Sequence, residues 1–163
     1  FLGRHDEPQV NGKRMEADED AVDVQVGHKD ASPGSIQALT LRLRSRVVAH
    51  DGPVWEDESV EILLDPTHKH KTFFRVAVNC RGVVYDSSDG EPAWDSRAKV
   101  PVSCKSEVWT AEVRIPFDNL GISLDVNDVW GLNLVRHDKG RDETVTWSLG
   151  GTENPTRFGN LSI

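Results

Sequence analysis

The sequence predicts an all-β domain, an antiparallel two-sheet β-sandwich of jelly-roll-like character. Three observations carry that reading: strand-length segments alternate apolar and polar residues, turn residues separate them at short intervals, and helical periodicity is almost absent. At 163 residues the chain suits a single core and is short for two.

The elements follow in order. Residues 1 to 35 contribute one strand, Val22 to Val26, between acidic and Gly/Pro-rich loops. "IQALTLRLRSRVV" alternates Leu39, Leu41 and Leu43 with Thr40, Arg42 and Arg44, the pattern of a strand with one buried and one wet face. After a Gly-Pro turn come "SVEILLD", "TFFRVAVN", "GVVYD", "RAKVPVSC" and "VWTAEVRIPF". Asn79 to Gly82 and Lys105 to Glu107 have the composition of hairpin connections. "DNLGI" reads as one helical turn, "DVWGLNLVRH" and "TVTWSL" as two more strands, and "RFGNLSI" as a closing strand. No internal repeat or low-complexity tract interrupts the series.

Composition excludes several function classes. Lys and Arg total 19 against 27 Asp and Glu, for a net charge of -8, and the basic residues are scattered, so nucleic acid is not an expected partner. No apolar run reaches the length of a membrane-spanning helix. The chain opens at Phe1 without a charged and apolar leader, which we read as a processed chain or a piece of a larger protein. Cys80 and Cys104 are too few for a zinc motif and are either free thiols or one disulfide.

The stretch "GPVWEDESVEILLDP", residues 52 to 66, sets an indole on an acidic turn and a carboxylate inside an apolar strand. By strand parity Ser59, Glu61, Leu63 and Asp65 share one face, and Phe73, Arg75, Ala77 and Asn79 share one on the next strand. If "PTHKHK" joins the two as a hairpin, Glu61 and Arg75 become same-face neighbours below a loop tip bearing Trp55. The plain reading of that spacing is an exposed ion pair beside a half-buried indole. The alternative is a sugar site, where an indole face covers a ring's C–H surface and paired polar side chains take adjacent hydroxyls.

Trp109, Trp130 and Trp147 lie in strands and read as packing residues. Trp94, in the polar loop "SSDGEPAWDS", is a further ligand candidate, as is Asn79 on the Glu61–Arg75 face. His68 and His70 stand among lysines, a poor setting for a metal. No nucleophile elbow, phosphate-binding loop or dinucleotide turn occurs, so nothing in the sequence points to an enzyme. The acidic stretches at residues 16 to 20 and 86 to 91 offer oxygen ligands for calcium, without the spacing of an EF-hand loop.

Taken in order, "PVWEDESVEILLDP", "FFRVAVN", "VWTAEVRIPFDNLG", "WGLNLVR", "TWS" and "NPTRFGNLSI" resemble family 9 carbohydrate-binding modules. The resemblance covers residues 36 to 163, and "PQVNG" is weakly similar to the family's opening segment. It implies a non-catalytic β-sandwich that binds polysaccharide ends and small sugars. It also implies a secreted or extracytoplasmic setting, attachment to a catalytic or receptor domain, and structural calcium. It places Trp55 on the first of two clamping tryptophans, Glu61 on an acidic sugar ligand and Arg75 on a basic one.

The second clamp departs from the family, because "GGTENPTRFG" puts Thr152 where a tryptophan is expected. Two other functions therefore stand beside sugar binding. One is a structural or protein-interaction sandwich that has lost the clamp. The other is a haem-carrying relative, whose axial pair would have to use Met15, the sole methionine.

Overall fold

The computed structural model describes residues 14–18, 21–27, 45–105, 108–122, 129–149 and 151–162. Two antiparallel sheets make up the fold. One has strand order β1-β2-β7-β6, with β1 Arg14–Asp18, β2 Ala21–Gly27, β6 Val102–Lys105 and β7 Val108–Pro116. The other has order β10-β8-β3-β4-β5, with β3 Ser59–Asp65, β4 Phe74–Asn79, β5 Val84–Ser88, β8 Val129–Asp138 and β10 Gly159–Ser162. A further strand, β9 Glu143–Thr146, pairs with β8 beside β10. Among the described residues the helical elements are three short 3-10 turns, at Val54–Glu56, Phe117–Leu120 and Pro155–Arg157. The two-sheet antiparallel sandwich predicted from the alternation is thus the architecture observed.

Most strands fall where the periodicity puts them, and three differences have identifiable causes. "EADED" reads as an acidic loop, yet Arg14–Asp18 is a strand paired with β2, because residues of any charge can fill a ladder whose backbone groups are satisfied. Of the expected strand over residues 36 to 48, residues 36–44 lie outside the described ones. Residues 45–48 form no strand, and the amides of Arg46 and Val47 donate instead to the Asp57 carboxylate. In "RAKVPVSC", Pro101 delays the ladder, so Lys99 makes an isolated bridge to Arg114 and β6 begins at Val102.

The two sheets differ in what their outer faces do. On β7, Trp109, Ala111, Val113 and Ile115 are buried while Thr110 and Glu112 are exposed, the pattern of a sheet with one wet side. All seven residues of β3 are buried. Val60, Ile62 and Leu64 join the main core between the sheets, with Val76, Val78, Trp130 and Leu132. Leu63 belongs to a second cluster on the outer side, with Val135 and Phe158. Chain segments therefore cover the outer face of the six-stranded sheet, and the core accounts for only half of β3.

Trp109 and Trp130 are core residues, as expected from their strands, and Trp147 packs against the same cluster. A Cβ at Gly159 would run into the Trp147 ring, so the absence of a side chain there lets the closing strand pass over the indole. The β9 to β10 crossover is anchored at Asn133, which lies between the part of β8 paired with β10 and the part paired with β9. Its Oδ1 accepts from Thr146 Oγ1 and the Ser148 amide, and its Nδ2 donates to the Thr152 carbonyl.

Both cysteines are free, so of the two alternatives left by their spacing the structure has the thiols. Cys80 is buried in the turn after β4, whereas Cys104 is exposed on β6 of the other sheet. Burial pushes the Cys80 thiol up to about 11, against a weaker lowering by a hydrogen bond with Ser45. Thiolate is the reactive form, so at about pH 8 an alkylating reagent should label Cys104 in the folded protein and reach Cys80 only on unfolding. Equal labelling rates under native conditions would contradict that placement.

Candidate functional site

The acidic run that opens β3 is where the outer face is built. Asp57, Glu58, Glu61 and Asp65 are 2%, 5%, 6% and 1% exposed, and a buried carboxylate needs donors or cations to remain charged. Asp57 takes the amides of Arg46 and Val47 at 2.8 and 2.9 Å and Asn79 Nδ2 at 3.0 Å. Glu58 takes the amide of Gly140 at 2.8 Å. Asp65 takes Thr67 N, Thr67 Oγ1 and His70 N, closing the turn after the strand. Each of these three ties a different loop to the sheet.

Glu61 is the member met by ionisable side chains. It lies opposite Ala77 on β4 and Val135 on β8, with Arg75 and His137 one step along the ladders. Its Oε1 is 2.5 Å from His137 Nε2, and its Oε2 is 3.3 Å from Arg75 Nε, an ion pair without hydrogen-bond alignment. His137 Nδ1 lies 3.1 Å from the Thr144 hydroxyl, so Glu61 and β9 hold the ring from both of its nitrogens. The Arg75 guanidinium also lies 6.0 Å from the Phe73 ring and pairs through Nη2 with Glu153. Side-chain exposure is 12% for Arg75, 12% for His137 and 60% for Glu153, so the outer cover of this cluster is the Glu153 carboxylate.

Trp55 stands beside the cluster on the 3-10 turn Val54–Glu56, half-buried, edge-on to Tyr85 with ring centroids 4.9 Å apart. Tyr85 is opposite Ala77, itself opposite Glu61, so the aromatic pair is about two strand spacings, ~10 Å, from the carboxylate on the same face. The turn is held by Asp57 immediately after it and by Val54, which is fully buried. A polar groove of about 520 Å³ opens next to the turn, lined by Arg46, Glu56, Asp57, Lys139, Gly140 and Asp142.

The structure gathers Trp55, Glu61 and Arg75 on one face, buries Asn79 beneath it and turns Trp94 to the core side. Asn79 shares the face but is fully buried. Its Nδ2 donates to Val47 O and Asp57, and its Oδ1 accepts from the amides of Arg81 and Val83, which leaves no polar atom for a ligand. Trp94 packs on the core side, 4.8 Å from the Phe74 ring, with Nε1 donating to the Asn119 carbonyl. The polar loop that suggested a free indole folds that indole back into the sandwich.

Sequence reasoning missed His137. Its signal was present in the parity of β8, where Asn133, Val135 and His137 share a face, but the pairing of residue 137 with residue 59 is not legible without the register. Thr152 lies on the crossover above Asn133, next to Glu153, so the loop expected to bear a second clamp does reach this face, carrying no ring. His68 and His70 stack edge-on at 4.5 Å, and His70 Nδ1 lies 2.9 Å from Pro155 O.

In the second acidic stretch two carboxylates bond to donors of the chain itself. Asp86 accepts from the Ser96 amide and hydroxyl, and Asp89 accepts from the Phe73 amide. Residues 19–20 of the other stretch lie outside the described residues. Among the described residues no group of three His, Cys, Asp or Glu side chains is gathered to hold an ion. Met15, the conceivable haem ligand, stands in β1 opposite Val24.

Residues 11–163 match the family described as "Carbohydrate family 9 binding domain-like". Solved structures share the fold. Two are of a family 9 carbohydrate-binding module from Caldicellulosiruptor kristjanssonii, in complex with cellotriose and with glucose. Each is 18% identical with a TM-score of 0.62, covering 92% of this chain and 72% or 74% of that one. A structure from Bacteroides uniformis has a TM-score of 0.71 at 19% identity, covering 92% of this chain and 76% of its own. A search of curated proteins finds no match.

Removing the Asp57 carboxylate should destabilise the fold well beyond an ordinary surface change. Asp57→Ala strands two backbone amides and an amide side chain, so a loss of about 3 kcal/mol is expected in urea unfolding. Glu56→Ala, exposed on the same turn, should stay within about 0.5 kcal/mol of the parent. Equal effects would refute the anchoring role of Asp57.

Proposed function

The chain belongs to the carbohydrate family 9 binding domain-like family, and from that premise we propose that it binds sugar without catalysis on the outer face of its six-stranded sheet. The observation that carries the reading is the grouping of a half-buried Trp55, the Glu61 carboxylate and the Arg75 guanidinium on one side of β3 and its neighbours. An indole edge-braced by Tyr85 presents a rigid apolar surface for a pyranose ring. Glu61 accepts from hydroxyl groups and Arg75 donates to them, and His137 fixes the carboxylate in place before any ligand arrives. Cellotriose and glucose, the ligands in the related Caldicellulosiruptor structures, are the first compounds to test.

The same reading extends to an extracytoplasmic protein in which this domain accompanies a catalytic or receptor domain. It rests there on family membership alone.

A second reading, a structural or interaction domain, is favoured by one observation. Position 152 is a threonine, and neither Trp94 nor Trp147 replaces the missing ring, because both pack against the core. Stacking on one ring contributes about half of what a two-sided clamp would, so weak affinity is expected.

The two readings separate at Trp55. Arg75 is a poorer probe, because its burial and its two carboxylate partners mean that truncation would leave Glu61 short of a cation as well as altering binding. The exposed ion pair that the spacing suggested is thus a buried one. In titration calorimetry with glucose and cellotriose, Trp55→Ala should weaken binding about tenfold or more while circular dichroism still reports a folded sandwich. A parent that binds neither sugar, with a Trp55→Ala variant that unfolds, would make Trp55 a packing residue and favour the interaction domain.

A further inference from the structure

Arg75 is flanked by acid on two sides: Glu61 holds its Nε from within the sheet, and Glu153, on the β9 to β10 crossover, pairs with its outward Nη2. The crossover is pinned next to Arg75 by the bond from Asn133 to the Thr152 carbonyl, so proximity of Glu153 is built into the loop. At 60% exposure against 12% for Arg75, Glu153 is the group an approaching ligand meets first. A guanidinium open to solvent would recruit the carboxylate or sulfate of an acidic sugar. Here the outward nitrogen already has an anion, and Glu61 supplies a second negative charge beneath it.

From this geometry we infer that Glu153 is a specificity-determining residue that excludes acidic sugars from the Arg75 subsite and admits neutral ones. The inference rests on the sugar-binding reading and adds the substrate class. A neutral ring can accept a hydrogen bond from Arg75 and donate through its own hydroxyls to Glu61, with no contact to Glu153 required. A uronate must either displace Glu153 or place its charge within a few ångströms of it. Two like charges about 4 Å apart in a largely aqueous setting weaken binding by about fivefold. The chain's net charge of -8 opposes every anion equally, so a single local substitution separates the effect of Glu153 from that background.

Glucose and glucuronate test this directly, since they share a ring and differ at the sixth carbon. In calorimetric titration at low salt the parent should bind glucose at least about fivefold more tightly than glucuronate. Glu153→Gln, isosteric and at an exposed position, should leave glucose binding within about twofold and reduce the discrimination by about fivefold. Circular dichroism of the variant should match the parent. Glucuronate bound as well as glucose by the parent, or the same discrimination in Glu153→Gln, would overturn the role of Glu153 while sugar binding stood. A folded parent that bound neither compound would overturn sugar binding itself and this inference with it.

Discussion

The structure depends on satisfying a run of carboxylates that is buried at the start and along the length of β3. Between residues 57 and 65, Asp57, Glu58, Glu61 and Asp65 are all buried, and three of them, Asp57, Glu58 and Asp65, are met by donors from outside the sheet. The donors come from segments that wrap the outer face: residues 46 and 47 for Asp57, residue 140 for Glu58, and residues 67 and 70 for Asp65. The acid run is therefore a set of attachment points, and the loops that bear Trp55 and line the neighbouring groove are fixed by it. Among the described residues, Glu61 is the one of the four met by ionisable side chains, Arg75 and His137.

This constraint explains why the two outer faces are so unlike. The four-stranded sheet shows a simple alternation on β7 and turns polar residues to water. The six-stranded sheet needs its outer face covered, and the cover consists of residues held by the buried acids together with the second apolar cluster of Leu63, Val135 and Phe158. A partly covered face with fixed charges suits recognition of a small polar ligand, because the side chains are ordered before binding.

Much of this was legible in the sequence where local periodicity decides the outcome. Parity alone puts Glu61 and Arg75 on one face, since strand side chains alternate whatever the tertiary context. Parity also puts Asn79 there but says nothing of its bonds, which go to the turn it closes and to Val47 and Asp57. The packing of Trp94 against the core was not legible, because a polar loop gives no sign of the direction in which its one large apolar side chain will fold. His137 was invisible for a different reason: its partner Glu61 is 76 residues away, and no local pattern encodes that register. The strand Arg14–Asp18 was hidden by its acidity, since its place in the ladder comes from pairing with β2 rather than from its own propensity.

The central claim is that sugar rests on the outer face of the six-stranded sheet, beside Trp55 and over the Glu61 cluster. Backbone amide chemical shifts recorded during titration with cellotriose test it most directly. The account predicts saturable shifts concentrated at Trp55, Ala77, Tyr85 and His137, with residues of β6 and β7 unmoved. Shifts concentrated on the four-stranded sheet, or none at millimolar sugar, would contradict it.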